Sequence, residues 1–168
     1  SELADPARPA RADGPREVSG VHKELVLMAC LGAGAACGAD GPWVTFDGFQ
    51  GPGEGKHIVF VTGDEEYRSE ESMPQLARIL AARHGFRCTA LFAVNRESGE
   101  IEPTVLDNIP GLEALDSADL MVLFTRFREL PDEQMRHIID YTNSGRPIVA
   151  LRTATHPFNY AKHPENPL

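Results

Sequence analysis

Apolar residues gather along this chain in four short runs of strand length: His57–Thr62 (HIVFVT), Arg87–Val94 (RCTALFAV), Asp119–Thr125 (DLMVLFT) and Pro147–Leu151 (PIVAL). The third and fourth are continuous rather than alternating, so they read as strands covered on both faces. After the first run, Met73, Leu76, Ala77 and Leu80 recur at helical spacing. Ser72 suits the cap of that helix, with Gln75 as reciprocal partner, Pro74 in the first turn and Gly85 as the stop. Asn95 to Asp116 reads mostly as loop, with a turn at Asn108-Ile-Pro-Gly111 and a short helical piece near Leu112 to Leu115. Pro131 opens a second helix with Asp132 and Glu133 in its first turn, where negative charge suits the dipole. Met135, Ile138, Ile139 and Thr142 form its inner face, and Gly145 closes it.

The pattern is β-α-β-loop-β-α-β, with helices expected near 72–84 and 131–144. Right-handed crossovers make it an α/β doubly wound parallel sheet of order 2-1-3-4, in the flavodoxin-like manner. The turn after the first strand lacks Gly-x-Gly-x-x-Gly, and no Gly-x-x-x-x-Gly-Lys occurs in the chain. Dinucleotide and nucleoside-triphosphate binding therefore lose their usual support.

Residues 1–55 have another character. Positions 1–22 are rich in Pro, Arg, Asp and Ala and read as a disordered extension. Leu25 to Cys37 (LVLMACLGAGAAC) has the length of a signal-peptide apolar region, and Ala39 is an acceptable cleavage residue. Gly32, Gly34 and Gly38 argue against a core helix there. Glu24 and the distance from the chain start run against a signal, and an over-extended start would explain the latter. We expect a signal peptide over 23–39, a linker over 40–55 and export to the periplasm or exterior, with a cytoplasmic location if the segment is no signal. A lipoprotein site at Leu27-Met-Ala-Cys30 is the weaker alternative, because the apolar run before Cys30 is short. Cys30 and Cys37 fall in this segment, leaving Cys88 alone and reading as a small buried hydrophobe.

Composition narrows the partners. The chain has 168 residues and a net charge of −9. Nucleic acid and anionic membranes need clustered Lys and Arg, so neither is expected as main partner. No segment reaches the roughly 18 apolar residues of a membrane span.

Candidate chemistry collects just past the strand ends, the edge where open α/β sheets place their ligands. Asp64, Glu65, Glu66, Tyr67 and Arg68 follow the first strand. The carboxylates are candidates for acid/base work or a divalent cation, against the plainer reading of a solvated acidic loop. Glu70 and Glu71 suit a helix start. Arg126 and Arg128 follow the third strand, one expected in the cleft and the other outward, with Arg126 preferred. Arg152, Thr153, Thr155 and His156 follow the fourth. Pro157 holds His156 out of a helical conformation. His84, His137 and His163 read as surface residues, and no His pair has metal-ligand spacing. Asp64, Glu65, Arg126, Arg152, Thr153 and His156 are expected to share one cleft.

The segments GKHIVFVTGDEEYRSEES and NIPGLEALDSADLMVLFTRFRELPDEQMRHIIDYTNSGRPIVALRTATHPFNY, with their spacing, resemble the trehalose-utilisation (ThuA-like) domain family over about Trp43 to Tyr160. The resemblance implies a fold like that of class I glutamine amidotransferases, a three-layer sandwich, and a role in carbohydrate utilisation. Activity on a sugar or an oxidised (3-keto) sugar is implied, by isomerase, lyase or hydrolase chemistry. In that fold the strand matching Pro147–Leu151 leads into the turn bearing a catalytic Cys. Arg152-Thr-Ala-Thr-His156 has none, so glutaminase chemistry is not expected. Many members carry Leu-His where this chain has Leu151-Arg152, and an arginine cannot exchange protons as histidine does.

With a small carbohydrate as partner, Asp64, Glu65 and His156 are the candidate catalytic residues. Tyr67, Arg68, Arg126, Arg152, Thr153 and Thr155 are the candidate substrate-binding residues. No cofactor is expected, with a divalent metal at Asp64, Glu65 and Glu66 left open. The alternative is a non-catalytic carbohydrate-binding or interaction domain, against which a single Trp and 7% aromatic content count modestly. The resemblance also implies a domain incomplete at residue 168, with further site residues beyond it and an open apolar surface around Ile148, Ala150 and Phe158.

Overall fold

The computed structural model describes residues 41–161. The expected extension at 1–22, the signal segment at 23–39 and His163 lie outside the described residues. The four apolar runs become β2 (His57–Gly63), β3 (Arg87–Leu91), β4 (Leu120–Thr125) and β5 (Ile148–Ala150). They pair in parallel in the order β3-β2-β4-β5, the order expected for the four. The helices are α1 (Ser69–His84) and α2 (Asp132–Asn143), with a 3₁₀ segment at Leu112–Ser117.

The sheet has a fifth strand. β1 (Val44–Phe46) pairs antiparallel with β3, so the segment expected as a linker contributes sheet. Three residues are too few to produce a hydrophobic run. Cross-strand contacts hold them instead: Val44 and Phe46 pack on the core, and Thr45 Oγ1 lies 3.2 Å from Thr89 Oγ1. The result is a mixed, mostly parallel α/β sheet.

Both faces of the central strands β2, β3 and β4 are covered, as continuous apolar strands require. On one face Ile58, Phe60, Cys88, Ala90, Val122 and Phe124 pack with Met73, Ala77 and Ala81 of α1. On the other Val59, Val61, Met121 and Leu123 pack with Leu112 and Leu115 of the 3₁₀ segment and with Met135, Ile138 and Tyr141 of α2.

Three local expectations need correction. α1 begins at Ser69, so Ser72 is not its cap but an exposed residue whose hydroxyl donates to the Arg68 carbonyl. Pro74 thus falls in the second turn. The early start follows from Ser69, whose buried Oγ accepts the Gly63 and Asp64 N–H groups at 3.1 and 2.9 Å. On α2, Tyr141 rather than Thr142 turns inward. The ring offers more apolar area, and its hydroxyl donates to the Pro147 carbonyl at 2.8 Å. β5 is not covered on both sides: Ile148 is 39% and Val149 44% exposed, because among the described residues β4 is its sole strand partner. Ala150 is exposed as well, whereas Phe158 is half-buried against the α2-side core. Among the described residues, no helix is long and apolar enough to cross a membrane.

Candidate functional site

The carboxyl ends of β2, β4 and β5 lie side by side, and the chain leaves each through a left-handed residue. Arg68, Phe127 and Arg152 have φ of 51°, 52° and 49°. A side chain in that region costs about 1–2 kcal/mol, so three on one edge mark a place where backbone geometry is imposed by its surroundings. Arg152 begins a 3₁₀ turn (Arg152–Thr155) directly after β5. This is a sharp strand-to-helix turn of the kind that elsewhere presents a nucleophile. Here it presents a guanidinium.

Asp64 is fully buried. Its Oδ1 accepts the Glu66 and Tyr67 N–H groups at 2.8 and 2.9 Å, and its Oδ2 accepts the Thr153 hydroxyl. That hydroxyl also lies 3.1 Å from the Thr125 carbonyl. Asp64 therefore shapes the loop after β2 and ties it to the turn after β5. Touching a substrate would require this carboxylate to leave its shell.

Glu65 is the hub of a second network. Its Oε1 accepts from Arg126 Nη1 and its Oε2 from Arg128 Nη2, each at 2.6 Å. Arg126, whose pKa this bond raises, also lies 3.4 Å from Glu66 and sits over the Phe127 ring at 4.7 Å. With Arg126 preferred for the cleft, Arg128 is the one expected outward, and the structure turns it inward instead. It is fully buried, and it donates to the carbonyls of Arg126, Pro103 and Val105 at 2.8 Å each. Burial pulls its pKa down and the Glu65 carboxylate opposes that shift. Gly63 makes the arrangement feasible, since a Cβ there would stand 3.0 Å from Arg128 Cδ.

A cavity of about 300 Å³ opens beside these networks, lined by Tyr67, Arg152, Thr153 and His156. The Arg152 guanidinium lies over the Tyr67 ring, 3.9 Å from its centroid, and no carboxylate among the described residues pairs with it. The His156 ring packs on Phe127 at 4.8 Å, and its Nδ1 is 3.0 Å from the Thr155 hydroxyl. Nε2 of His156 makes no hydrogen bond among the described residues.

All six residues expected to share a cleft are thus joined at one edge, in different capacities. Arg152, Thr153 and His156 line the cavity; Asp64, Glu65 and Arg126 are engaged with protein partners around it. Arg68 turns away and pairs with Glu71. The chain matches no protein-family model, no curated protein and no solved structure. Among the described residues no three His, Cys, Asp or Glu gather so as to hold a metal ion. Two arginines engage Glu65, and two backbone N–H groups and the Thr153 hydroxyl engage Asp64. Nothing local marks Arg128 as the buried anchor of the edge, because its spacing from Arg126 alone does not distinguish the two.

Proposed function

We propose that the chain is a ThuA-like domain of doubly wound, flavodoxin-like architecture that acts on a sugar or oxidised (3-keto) sugar derivative, without glutaminase activity. The observation that carries the reading is the cavity at the carboxyl edge, where a guanidinium without a protein counter-charge, a phenol ring, a hydroxyl and an imidazole converge. Arg152 suits the carbonyl or carboxylate oxygen of an oxidised sugar, because its fork donates two parallel hydrogen bonds to such a group. Tyr67 holds the guanidinium from beneath and provides an apolar wall for a sugar ring. His156 is the group placed to move a proton, with Nδ1 beside Thr155 and Nε2 available. Asp64 and Glu65 then act as positioning residues rather than as acid or base.

The test is turnover of 3-keto-glucosides by the wild-type chain, by His156→Asn and by Arg152→Gln. Activity should fall about 100-fold or more without the imidazole, the usual share of a general acid–base group. Loss of the guanidinium should appear mainly in KM. Equal turnover in wild type and both variants refutes the assignment.

One observation favours the non-catalytic reading: Asp64 is fully buried, Glu65 is held by two arginines, and neither lines the cavity. Calorimetric binding of the keto-glucoside without turnover would decide for it.

A further inference from the structure

A second cavity, about 270 Å³ in volume, lies toward the amino ends of β2 and β3, away from the strand tips just described. Its walls include Trp43, Thr45, His57, Arg87, Thr89 and Glu113. The indole is seated by two glycines. A Cβ on Gly111 would stand 2.8 Å from Trp43 Cε3, and one on Gly41 would stand 2.0 Å from Trp43 Cζ3. Gly111 also has a φ of 88°, so glycine there meets both a backbone and a packing need.

The polar side of the cavity is a chain of hydroxyls ending in an imidazole. Thr45 Oγ1 lies 3.2 Å from Thr89 Oγ1, which is 2.9 Å from His57 Nε2. Nδ1 of His57, the Glu113 carboxylate and the Ser117 hydroxyl, also in the lining, make no hydrogen bond among the described residues. Arg87 has a loose partner, Asp47 at 3.7 Å. Polar capacity here exceeds what the protein itself uses.

This lining selects against most ligand classes. An apolar ligand would cover His57 Nδ1, the Glu113 carboxylate and the Ser117 hydroxyl and leave them without a partner. An anion meets Glu113 and a cation meets Arg87, so neither gains over the other. A neutral ring bearing hydroxyl groups satisfies carboxylate, guanidinium, hydroxyl and imidazole alike, because each hydroxyl both donates and accepts. Its C–H face suits the indole. The volume of about 270 Å³ lies just below the roughly 300–1,000 Å³ of small-molecule sites, which fits one ring rather than a chain of them.

We propose that this cavity is a separate, non-catalytic site for a neutral monosaccharide-sized polyol, with Trp43 as its apolar wall and Thr45, Thr89, His57 and Glu113 as its polar side. The site stands independently of the reading of the carboxyl edge.

Trp43 is the one Trp in the sequence, so its emission reports on this cavity. The full chain is titrated with D-glucose, D-galactose and D-mannose, and with D-glucuronate and adenosine as charged and flat heteroaromatic probes. A saturable emission change is expected with at least one neutral hexose, weaker with glucuronate and absent with adenosine. Glu113→Gln removes an exposed carboxylate, so the fold is retained, and binding should weaken about tenfold, the worth of one or two hydrogen bonds. Arg152→Gln should leave the titration unchanged. The proposal is overturned if no hexose alters the emission, if adenosine binds more tightly than every hexose, or if Arg152→Gln weakens the signal as much as Glu113→Gln does.

Discussion

Replacing Arg128 by Met tests whether a single buried cation organises the candidate site. Met roughly matches the length of the arginine stem and removes the guanidinium with its four hydrogen bonds, three to carbonyls and one to Glu65. A buried acceptor that loses its donor costs about 1–3 kcal/mol. Arg126, Pro103 and Val105 are half-buried rather than sealed, so water can reach their carbonyls and the lower figure applies to each. Glu65 keeps Arg126 and some solvent, which limits its share. The sum, about 3–5 kcal/mol, agrees with the usual cost of removing one member of a buried ion pair. That is a large part of the about 5–15 kcal/mol that holds a typical domain. The assay is urea unfolding followed by circular dichroism. The midpoint should fall with an unchanged slope, and Tm should drop by about 6–20 °C for a chain of this size. Glu65→Gln in the same background should couple with Arg128→Met by about 0.5–3 kcal/mol, since the two side chains touch. A loss below about 1 kcal/mol, or strict additivity of the two substitutions, would falsify the view of Arg128 as the anchor of this edge.

Three further outcomes follow from the same geometry. Burial pushes the Cys88 thiol up to about 12, so native protein should resist iodoacetamide at Cys88 at pH 8 while unfolded protein reacts, as read by site-resolved mass spectrometry. Burial first, then the charge of Arg87, lowers the pKa of His57 below its ordinary 6.5. The unfolded chain then binds the proton more readily, so stability is lost as pH falls from about 6.5 through the lower folded value, and His57→Gln should flatten that part of the denaturation-versus-pH curve. Gly63→Ala places a methyl 3.0 Å from Arg128 Cδ and should destabilise by about 1–3 kcal/mol, a loss that Arg128→Met should partly relieve in the double variant.

The parallel core of the fold was legible because its signals are long. Runs such as Val122 to Phe124 pack against both layers, and nothing local competes with them. β1 was not, because its pairing with β3 is a tertiary contact that three residues cannot announce. The start of α1 was misread for a similar reason. Ser69 and Ser72 are chemically alike, and only the approach of the β2 tip selects Ser69. The site shows the same division. That the loops after β2, β4 and β5 meet follows from strand order alone. That Asp64 and Glu65 are both engaged by protein partners does not, because those partners come from segments distant in sequence. Arg126 and Arg128 are two residues apart, a spacing that places side chains on one face of an extended strand. Phe127 breaks that rule with its left-handed backbone, sending Arg128 into the protein and leaving Arg126 at the rim.

That turn joins the two halves of the argument. Phe127 carries the strained φ, donates its N–H to the His156 carbonyl at 3.1 Å, and stacks on the His156 ring. The next residue, Arg128, donates its N–H to the Pro157 carbonyl at 2.9 Å and accepts from the Asn159 N–H at the same distance. The segment carrying His156 is therefore laid against the loop that carries both arginines, and the buried guanidinium fixes that loop to Glu65. On the opposite side Asp64, through the Thr153 hydroxyl, fixes the turn that carries Arg152. Asp64 and Glu65, the two acidic candidates, thus hold in place the two basic residues that line the cavity. Strain at Phe127 and Arg152 persists because these bonds over-determine both turns, as expected where a rigid ligand-facing edge is assembled from loops.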